Sequence, residues 1–333
     1  MSLPALTIVL STYNGARFLA EQIESIRQQT FTDWMLLLRD DGSVDETRVI
    51  VDSLEALDSR IVVVRDQLGN LGPVGSYGVL LQHAADRGAR YVALADQDDV
   101  WQADKLAQEL ELIRDRERVI GESVPLLVHT DLTVVREDLS VVHPSFLDFQ
   151  RLSHVTQDQL SRLLMQNFVT GCTTVINRAL LEAALPFPKV VFMHDWWLAL
   201  CAATLGEVLY LPRATVLYRQ HGGNALGCRG WAANMLDTVR RPVVWWLSSG
   251  EHLDLVVAQA KELMRLMERE DRLETPTTRR SLGLLREFCS AFAQGNAVDR
   301  LMAIYRHRIK PRTFLPWPLR YYLRVLLWSP RMA

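Results

Sequence analysis

The chain has 333 residues, 49% hydrophobic and 23% charged, the balance of a folded protein and not of a disordered or fibrous one. Its formal charge of −2 argues against a general nucleic-acid binder, which is usually basic. Cys172, Cys201, Cys228 and Cys289 form no C-x-x-C pair, so a structural zinc site or dense disulfide framework is not expected, and reduced thiols in a cytoplasmic protein are. No signal peptide is read at the N-terminus, and no charge-free apolar run of about 18 residues suggests a membrane-spanning helix.

In chain order, residues 6–10 are a short apolar, β-branched run followed by Thr12-Tyr13-Asn14-Gly15, which predicts a buried strand and a turn. Phe18, Leu19, Ile23 and Ile26 carry helical spacing through 16–29. A second strand at 34–38 ends in Arg39-Asp40-Asp41-Gly42-Ser43, a helix follows at 45–57, a third strand at 60–65 and a third helix at 76–87. The fourth strand, 91–95, ends in Asp96-Gln97-Asp98-Asp99. This alternation predicts a parallel, doubly wound sheet. Further strands are read at 124–136, 169–177 and 208–218, the last broken by Pro212, and helices at 251–270 and 277–293. In such sheets ligands sit at the carboxyl ends of the strands, where the TYNG, RDDGS and DQDD clusters would face one crevice.

Three acids within four positions at a strand end repel one another unless something positive is bound, and hard carboxylate oxygens suit Mg²⁺ or Mn²⁺ shared with substrate phosphates. A helix N-cap by Asp99 or Asp104 is the alternative, and it leaves Asp96 and Asp98 unexplained. Gly69-Asn70-Leu71-Gly72 either lets backbone approach a nucleotide or is a plain loop. There is no G-x-G-x-x-G after the first strand and no G-x-x-x-x-G-K-[ST]. In His194-Asp195-Trp196-Trp197 the acid, flanked by apolar rings, suits a general base, and equally an N-cap. His221, in Tyr218-Arg219-Gln220-His221-Gly222-Gly223-Asn224, either reaches a metal or diphosphate or is a surface histidine. No G-x-S-x-G and no H-E-x-x-H occurs, which disfavours acyl transfer and zinc hydrolysis.

Taken in order, LTIVLSTYNG, RDDGSVDET, GNLGPVGSYG, ADQDDVWQADKL, TGCTTVINRALL, HDWWLAL and YRQHGGN resemble the family 2 glycosyltransferases of the GT-A fold. The match runs over residues 3–224. The DQDDVW, HDWW and YRQHGGN forms are similar to the bacterial rhamnosyltransferase-like branch, which builds O-antigen and cell-wall polysaccharides. The resemblance implies an α/β doubly wound mixed sheet over residues 1–224 and a mostly helical extension over 225–333. It implies that Thr12, Tyr13 and Asn14 form the first nucleotide-binding loop, with Asn70 also on the donor side. Asp41, with Asp40 beside it, would recognise a pyrimidine base. Asp96 and Asp98 match the D-x-D motif, Asp98 ahead of Asp96 as the direct ligand of Mg²⁺ or Mn²⁺, and His221 completes the metal or diphosphate site. Asp195 matches the catalytic base, His194 standing where the family has Glu, and Gly171, Cys172, His194 and Trp196 fall on the acceptor side.

No Q-x-x-R-W is present, which implies single-sugar transfer. One base without a second carboxylate nucleophile suits inverting displacement. The expected donor is dTDP-rhamnose, with a UDP-hexose as rival, and the expected acceptor a lipid-linked saccharide. A nucleotidyltransferase also combines an α/β fold with paired acids and Mg²⁺, but STYNGARFL offers only Arg17 to a triphosphate.

After Asp299 there is no acidic residue. Arg300, Arg306, Arg308, Lys310, Arg312, Arg320, Arg324 and Arg331 interleave with Phe314, Leu315, Trp317, Tyr321, Tyr322, Leu326, Leu327 and Trp328. The pattern predicts a segment lying on the anionic inner face of the cell membrane. A core-packing or homodimerising helix is the alternative.

Overall fold

The computed structural model describes residues 4–222, 242–269, 275–309 and 317–328. Its elements are β1 (Leu6–Thr12), α1 (Leu19–Arg27), β2 (Trp34–Asp40), α2 (Thr47–Leu57), β3 (Ile61–Val63), α3 (Gly72–Asp86), β4 (Tyr91–Ala95), β5 (Val100–Trp101), α4 (Lys105–Ile120), β6 (Leu126–Val135), β7 (Val141–His143), α5 (Phe146–Gln150), α6 (Gln159–Leu163), a 3₁₀ turn (Gly171–Thr173), β8 (Thr174–Asn177), α7 (Arg178–Ala184), α8 (His194–Leu205) and β9 (Glu207–Arg219). Four helices follow: α9 (Pro242–Arg269), α10 (Pro276–Ala293), α11 (Ala297–Arg306) and α12 (Trp317–Leu326).

The strands form one mixed sheet in the order β3-β2-β1-β4-β8-β6-β9-β5, with β7 paired to β6. β3, β2, β1 and β4 are mutually parallel; β8 runs antiparallel to both β4 and β6, and β9 is parallel to β6. Both faces are covered, which is why these strands read as unbroken apolar runs. Leu6, Ile8 and Leu10 of β1 pack with Leu19 and Ile23 of α1 and Leu106 and Leu110 of α4. Val9 points the other way, into a core shared with α3, α7 and α8. That second core runs on without interruption into Leu263 of α9, Phe288 of α10, Ile304 of α11 and Val325 of α12. The expected boundary at 224/225 lies outside the described residues.

Several expected elements differ in extent: α9 begins at Pro242 and not at 251, β3 spans only Ile61–Val63, and three more differ for reasons visible in the structure. α3 begins at Gly72 and not at 76, because the backbone N–H groups of Leu71 and Gly72 are both anchored on Asp41 and Pro73 suits a first helical turn. β8 is shorter than 169–177, because the Thr173 N–H turns back to Thr170 O over 3.0 Å. Pro212 does not break β9. The register against β6 slips around Asp131, so that Leu211 faces Thr130 and Ala214 faces Asp131. Pro212 and Arg213 sit in this bulge, where a missing N–H costs no ladder bond. Cys172, Cys201 and Cys289 are buried and form no disulfide; Cys228 lies outside the described residues.

Candidate active site

The chain end of β4 delivers Asp96 to Asp99 to the crevice, and the end of β9 arrives opposite. Asp98 is 8% exposed, and its Oδ2 lies 2.8 Å from Nε2 of His221. The Phe18 ring packs on His221 with centroids 4.8 Å apart. Asp99 is completely buried; it accepts the Arg219 backbone N–H on Oδ1, and Oδ2 has no hydrogen-bond partner. Burial, then the neighbouring Asp98 charge, pushes the Asp96 carboxyl up to about 6. Burial and the charges of Asp96 and Asp98 likewise raise Asp99. Asp96, Asp99 and Cys172 bring one oxygen or sulfur each within 4.8 Å of one another. Packed acids beside an imidazole are a donor set that a divalent cation satisfies, because its charge removes the repulsion. The capping alternative gains nothing from this geometry: Asp104 occupies the N-cap of α4, and no side chain caps that helix.

The loops that follow β1, β2 and β4 are tied to one another. Gln97 Oε1 accepts the Thr12 hydroxyl at 2.6 Å and the Tyr13 N–H at 2.8 Å, and Gln97 Nε2 donates to Tyr13 O. A Cβ on Gly15 would lie 2.4 Å from Gln97 Oε1 and 2.6 Å from Thr12 Oγ1, so a larger residue would have to displace the two groups that bond each other here. The Asn14 N–H donates to Ser43 Oγ, and Asn14 Oδ1 accepts the Val44 N–H. Asp40 closes its own turn by accepting Ser43 N–H and pairs with Arg48. Asp41 is 2% exposed. Its two oxygens accept the Leu71 and Gly72 N–H groups, each at 2.9 Å, and it pairs with Arg39. Its visible work is to order the 69–72 loop from beneath; Asn70 stands exposed on that loop.

On the other side, Asp195 is the one residue of α8 that is not buried. It sits in the first turn and does not cap it; Oδ2 accepts the Gly171 N–H at 3.0 Å and Oδ1 accepts Asn167 Nδ2 at 3.2 Å. Burial pushes its carboxyl up to about 7, against the backbone N–H groups that favour the charged form. The other residues expected on the acceptor side are buried. Cys172 is wholly buried under the acid loop, and His194 and Trp196 are each 4% exposed. They shape the site from behind: Trp196 donates to Leu163 O and stacks on His252 of α9.

The sequence compared with known families gives the same picture. The family model for Glycosyl transferase family 2 matches residues 7–183, more than half of the chain. The chain belongs to that family. The dTDP-rhamnosyl transferase RfbG of Shigella flexneri is 26% identical over 231 residues, 66% of this chain and 73% of that protein. The UDP-Glc:alpha-D-GlcNAc-diphosphoundecaprenol beta-1,3-glucosyltransferase WfgD of Escherichia coli is 26% identical over 194 residues, 58% of this chain and 67% of that one. Among solved structures, the mannosyltransferase PcManGT of Pyrobaculum calidifontis, in complex with GDP-Man and Mn²⁺, superposes with a TM-score of 0.54 at 18% identity, covering 98% of this chain and 88% of that one. TarS of S. aureus in complex with UDP gives 0.53 at 14% identity, covering 96% and 88%. The fold of this family 2 glycosyltransferase is therefore the expected GT-A fold.

Four residues of the transferase escaped the sequence reading. Gln97 lies inside the acid motif, but its role in joining two loops depends on β1 and β4 being neighbours. Arg219, 3% exposed, bonds the Asp98 carbonyl at 2.9 Å, pairs with Glu21 and lies over Phe18, stitching the β9 end to the acid loop. Tyr77 sits within the quoted GNLGPVGSYG and reaches Asp96. Asn167 carried no signal at all, because it lies in irregular chain.

Proposed function

We propose that this enzyme transfers one sugar, with inversion at the anomeric carbon, from a nucleoside-diphosphate sugar to a hydroxyl of a lipid-linked saccharide. The observation that carries this reading is Asp195, a partly open carboxyl of raised proton affinity beside an acid loop in which Asp98 faces His221. Asp98 and His221 would hold Mg²⁺ or Mn²⁺, with Asp96 alongside. Such an ion, when bound, neutralises charge developing on the departing diphosphate. Asp195 takes the proton of the attacking hydroxyl, held in place by Gly171 and Asn167. With no second carboxylate acting as nucleophile, the attack is a single displacement and inverts. Thr12, Tyr13, Asn14 and Asn70 meet the nucleotide, Asp41 and Asp40 order the walls that receive its base, and Gly171 borders the acceptor.

Similarity to RfbG supports dTDP-rhamnose as donor; similarity to WfgD supports a UDP-hexose as the second reading, and a diphosphate-lipid acceptor with it. We read the C-terminal helices as the surface that meets an anionic membrane. Val298, Met302 and Tyr305 are exposed on α11, as are Leu323 on α12 and Leu327 just beyond it, in a region whose sequence has no acid after Asp299. No described helix is long and apolar enough to cross a membrane. Calorimetric titration of UDP and dTDP, each with Mn²⁺ and with EDTA, tests the donor side. Binding should require metal, vanish in Asp98→Ala and weaken less in His221→Ala. Binding indifferent to EDTA would overturn the metal assignment.

A further inference from the structure

One aromatic contact joins the two halves of the site, and neither donor binding nor proton transfer accounts for it. His194 opens α8, beside Asp195. It is 4% exposed, and both of its ring nitrogens are buried without a hydrogen bond. Its ring stacks on Tyr77 of α3, with centroids 3.8 Å apart and planes at 21°. The Tyr77 hydroxyl in turn lies 2.6 Å from the Ala95 carbonyl and 2.9 Å from Asp96 Oδ1, at the root of the acid loop. On its other side the imidazole edges against Gly171: a Cβ there would stand 2.9 Å from His194 Nε2 and 3.5 Å from the Asp195 Cβ. The Gly171 N–H is the one that holds Asp195. A continuous chain of contacts therefore runs from Asp96 through Tyr77 and His194 to Gly171 and Asp195.

An imidazole that makes no hydrogen bond acts through its shape. Burial keeps the ring neutral, with its pKa pushed down to about 3, so it contributes no charge to the neighbouring carboxylates. What remains is a flat, rigid slab between α3 and the start of α8. Offset stacking of this kind fixes both the separation and the tilt of the two rings. Reacting groups displaced by about 1 Å can lose 10²-fold in rate, so a spacer at this junction bears directly on turnover.

We propose that Tyr77 and His194 are positioning residues that set the base-bearing end of α8 in register with the acid loop. The proposal rests on the reading of Asp195 as the base. Tyr77 acts on the donor half through its hydroxyl and on the base half through its ring, and His194 acts on the base half alone. The two substitutions should therefore separate. Tyr77→Phe keeps the stack and loses the bond to Asp96; His194→Ala keeps the bond and loses the stack; His194→Phe restores a flat ring with no nitrogen.

The test measures two quantities on each full-length variant, together with Asp195→Asn. One is the affinity for UDP and dTDP in the presence of Mn²⁺. The other is kcat for nucleoside diphosphate release from UDP-glucose or dTDP-rhamnose, with water as acceptor. We expect Tyr77→Phe to weaken nucleotide affinity by about tenfold with little change in kcat, a split that separates binding from turnover. His194→Ala should lower kcat by about tenfold or more at unchanged nucleotide affinity, and His194→Phe should recover most of that loss. Loss of kcat in His194→Phe as deep as in His194→Ala would overturn the slab role, as would full turnover in His194→Ala. Unchanged nucleotide affinity in Tyr77→Phe would overturn its donor-side role. Undiminished kcat in Asp195→Asn would instead overturn the base assignment, a different failure from either of these. A general loss of fold would lower the melting temperature and the bound fraction together, and rescue by Phe distinguishes it from mispositioning.

Discussion

At the scale of single residues, Asp195 ties activity to stability through one equilibrium. Its carboxyl is raised from 3.8 to about 7, so the charged form that accepts a proton is the form the fold disfavours. Turnover should therefore rise with pH through about 7, and Asp195→Asn should remove about 10²–10⁴-fold of kcat above that pH, the deficit shrinking below it as the parent's carboxyl takes up its proton, while nucleotide affinity stays near its original value. The sign for stability is opposite to that for turnover. The unfolded chain loses this proton near 3.8 and the folded chain only near 7, so the native protein loses stability as pH rises between those values. Asp195→Asn does not titrate and should melt above the parent protein at pH values beyond 7, with the gap closing toward 4. Parallel kinetic and melting profiles against pH check both halves; a gap independent of pH would remove the burial argument. Asp195 was legible in the sequence because His and two Trp flank it. That it faces outward alone from a buried helix was not, because nothing in HDWW says which side is covered.

At the scale of elements, strand ends and loops do the positioning. β9 reaches the acid loop because a bulge absorbs Pro212 and lets the strand continue to Arg219. β6 carries a second buried ring system behind the sheet. Nε2 of His129 lies 3.1 Å from Nδ1 of His154, and His154 stacks on Tyr210 of β9. Burial, then the neighbouring His154, pushes His129 down to about 3, and burial lowers His154 to about 4. Below 6.5 the unfolded chain takes up protons that these folded histidines refuse, so their contribution to stability falls as pH drops from 6.5 toward those lowered values. His129→Phe should lose less of its melting temperature than the parent over that window. Equal losses in the two proteins would show that His129 is not the group responsible. Strand and helix types were legible from periodicity throughout the first hundred residues. Their ends were not, because the start of α3 is fixed by Asp41, thirty or more positions earlier in the chain.

At the scale of the molecule, one apolar core runs from the sheet through α8 into the C-terminal helices, and α9 buttresses the start of α8: Gln259 Oε1 accepts the Phe192 N–H at 3.0 Å, and His252 stacks on Trp196. The outer face of α11 carries Val298, Met302 and Tyr305 beside the exposed charges of Asp299 and Arg306, while Arg300, Ala303 and Ile304 are buried. Such a face beside a basic tail is suited to a lipid headgroup layer. Vesicle flotation of the full-length protein should favour anionic over neutral vesicles, and Met302→Glu with Tyr305→Glu should abolish the preference; undiminished flotation of the variant would remove this face from the membrane contact, and a concentration-dependent dimer lost in the same variant would point to a second copy as the occupant. The sequence by itself determined the alternation of strands and helices over the first hundred residues, the acid clusters at the strand ends and the family, because these are local patterns of apolar spacing and turn chemistry. Only the tertiary structure decided that Gln97 locks the first loop, that Arg219 clamps the acid loop, that Asp41 holds the 69–72 loop and that Cys172, His194 and Trp196 are buried around Asp195. Each of these depends on residues far apart in the chain sharing one desolvated space, and burial of that kind is a property of packing and not of any stretch of sequence.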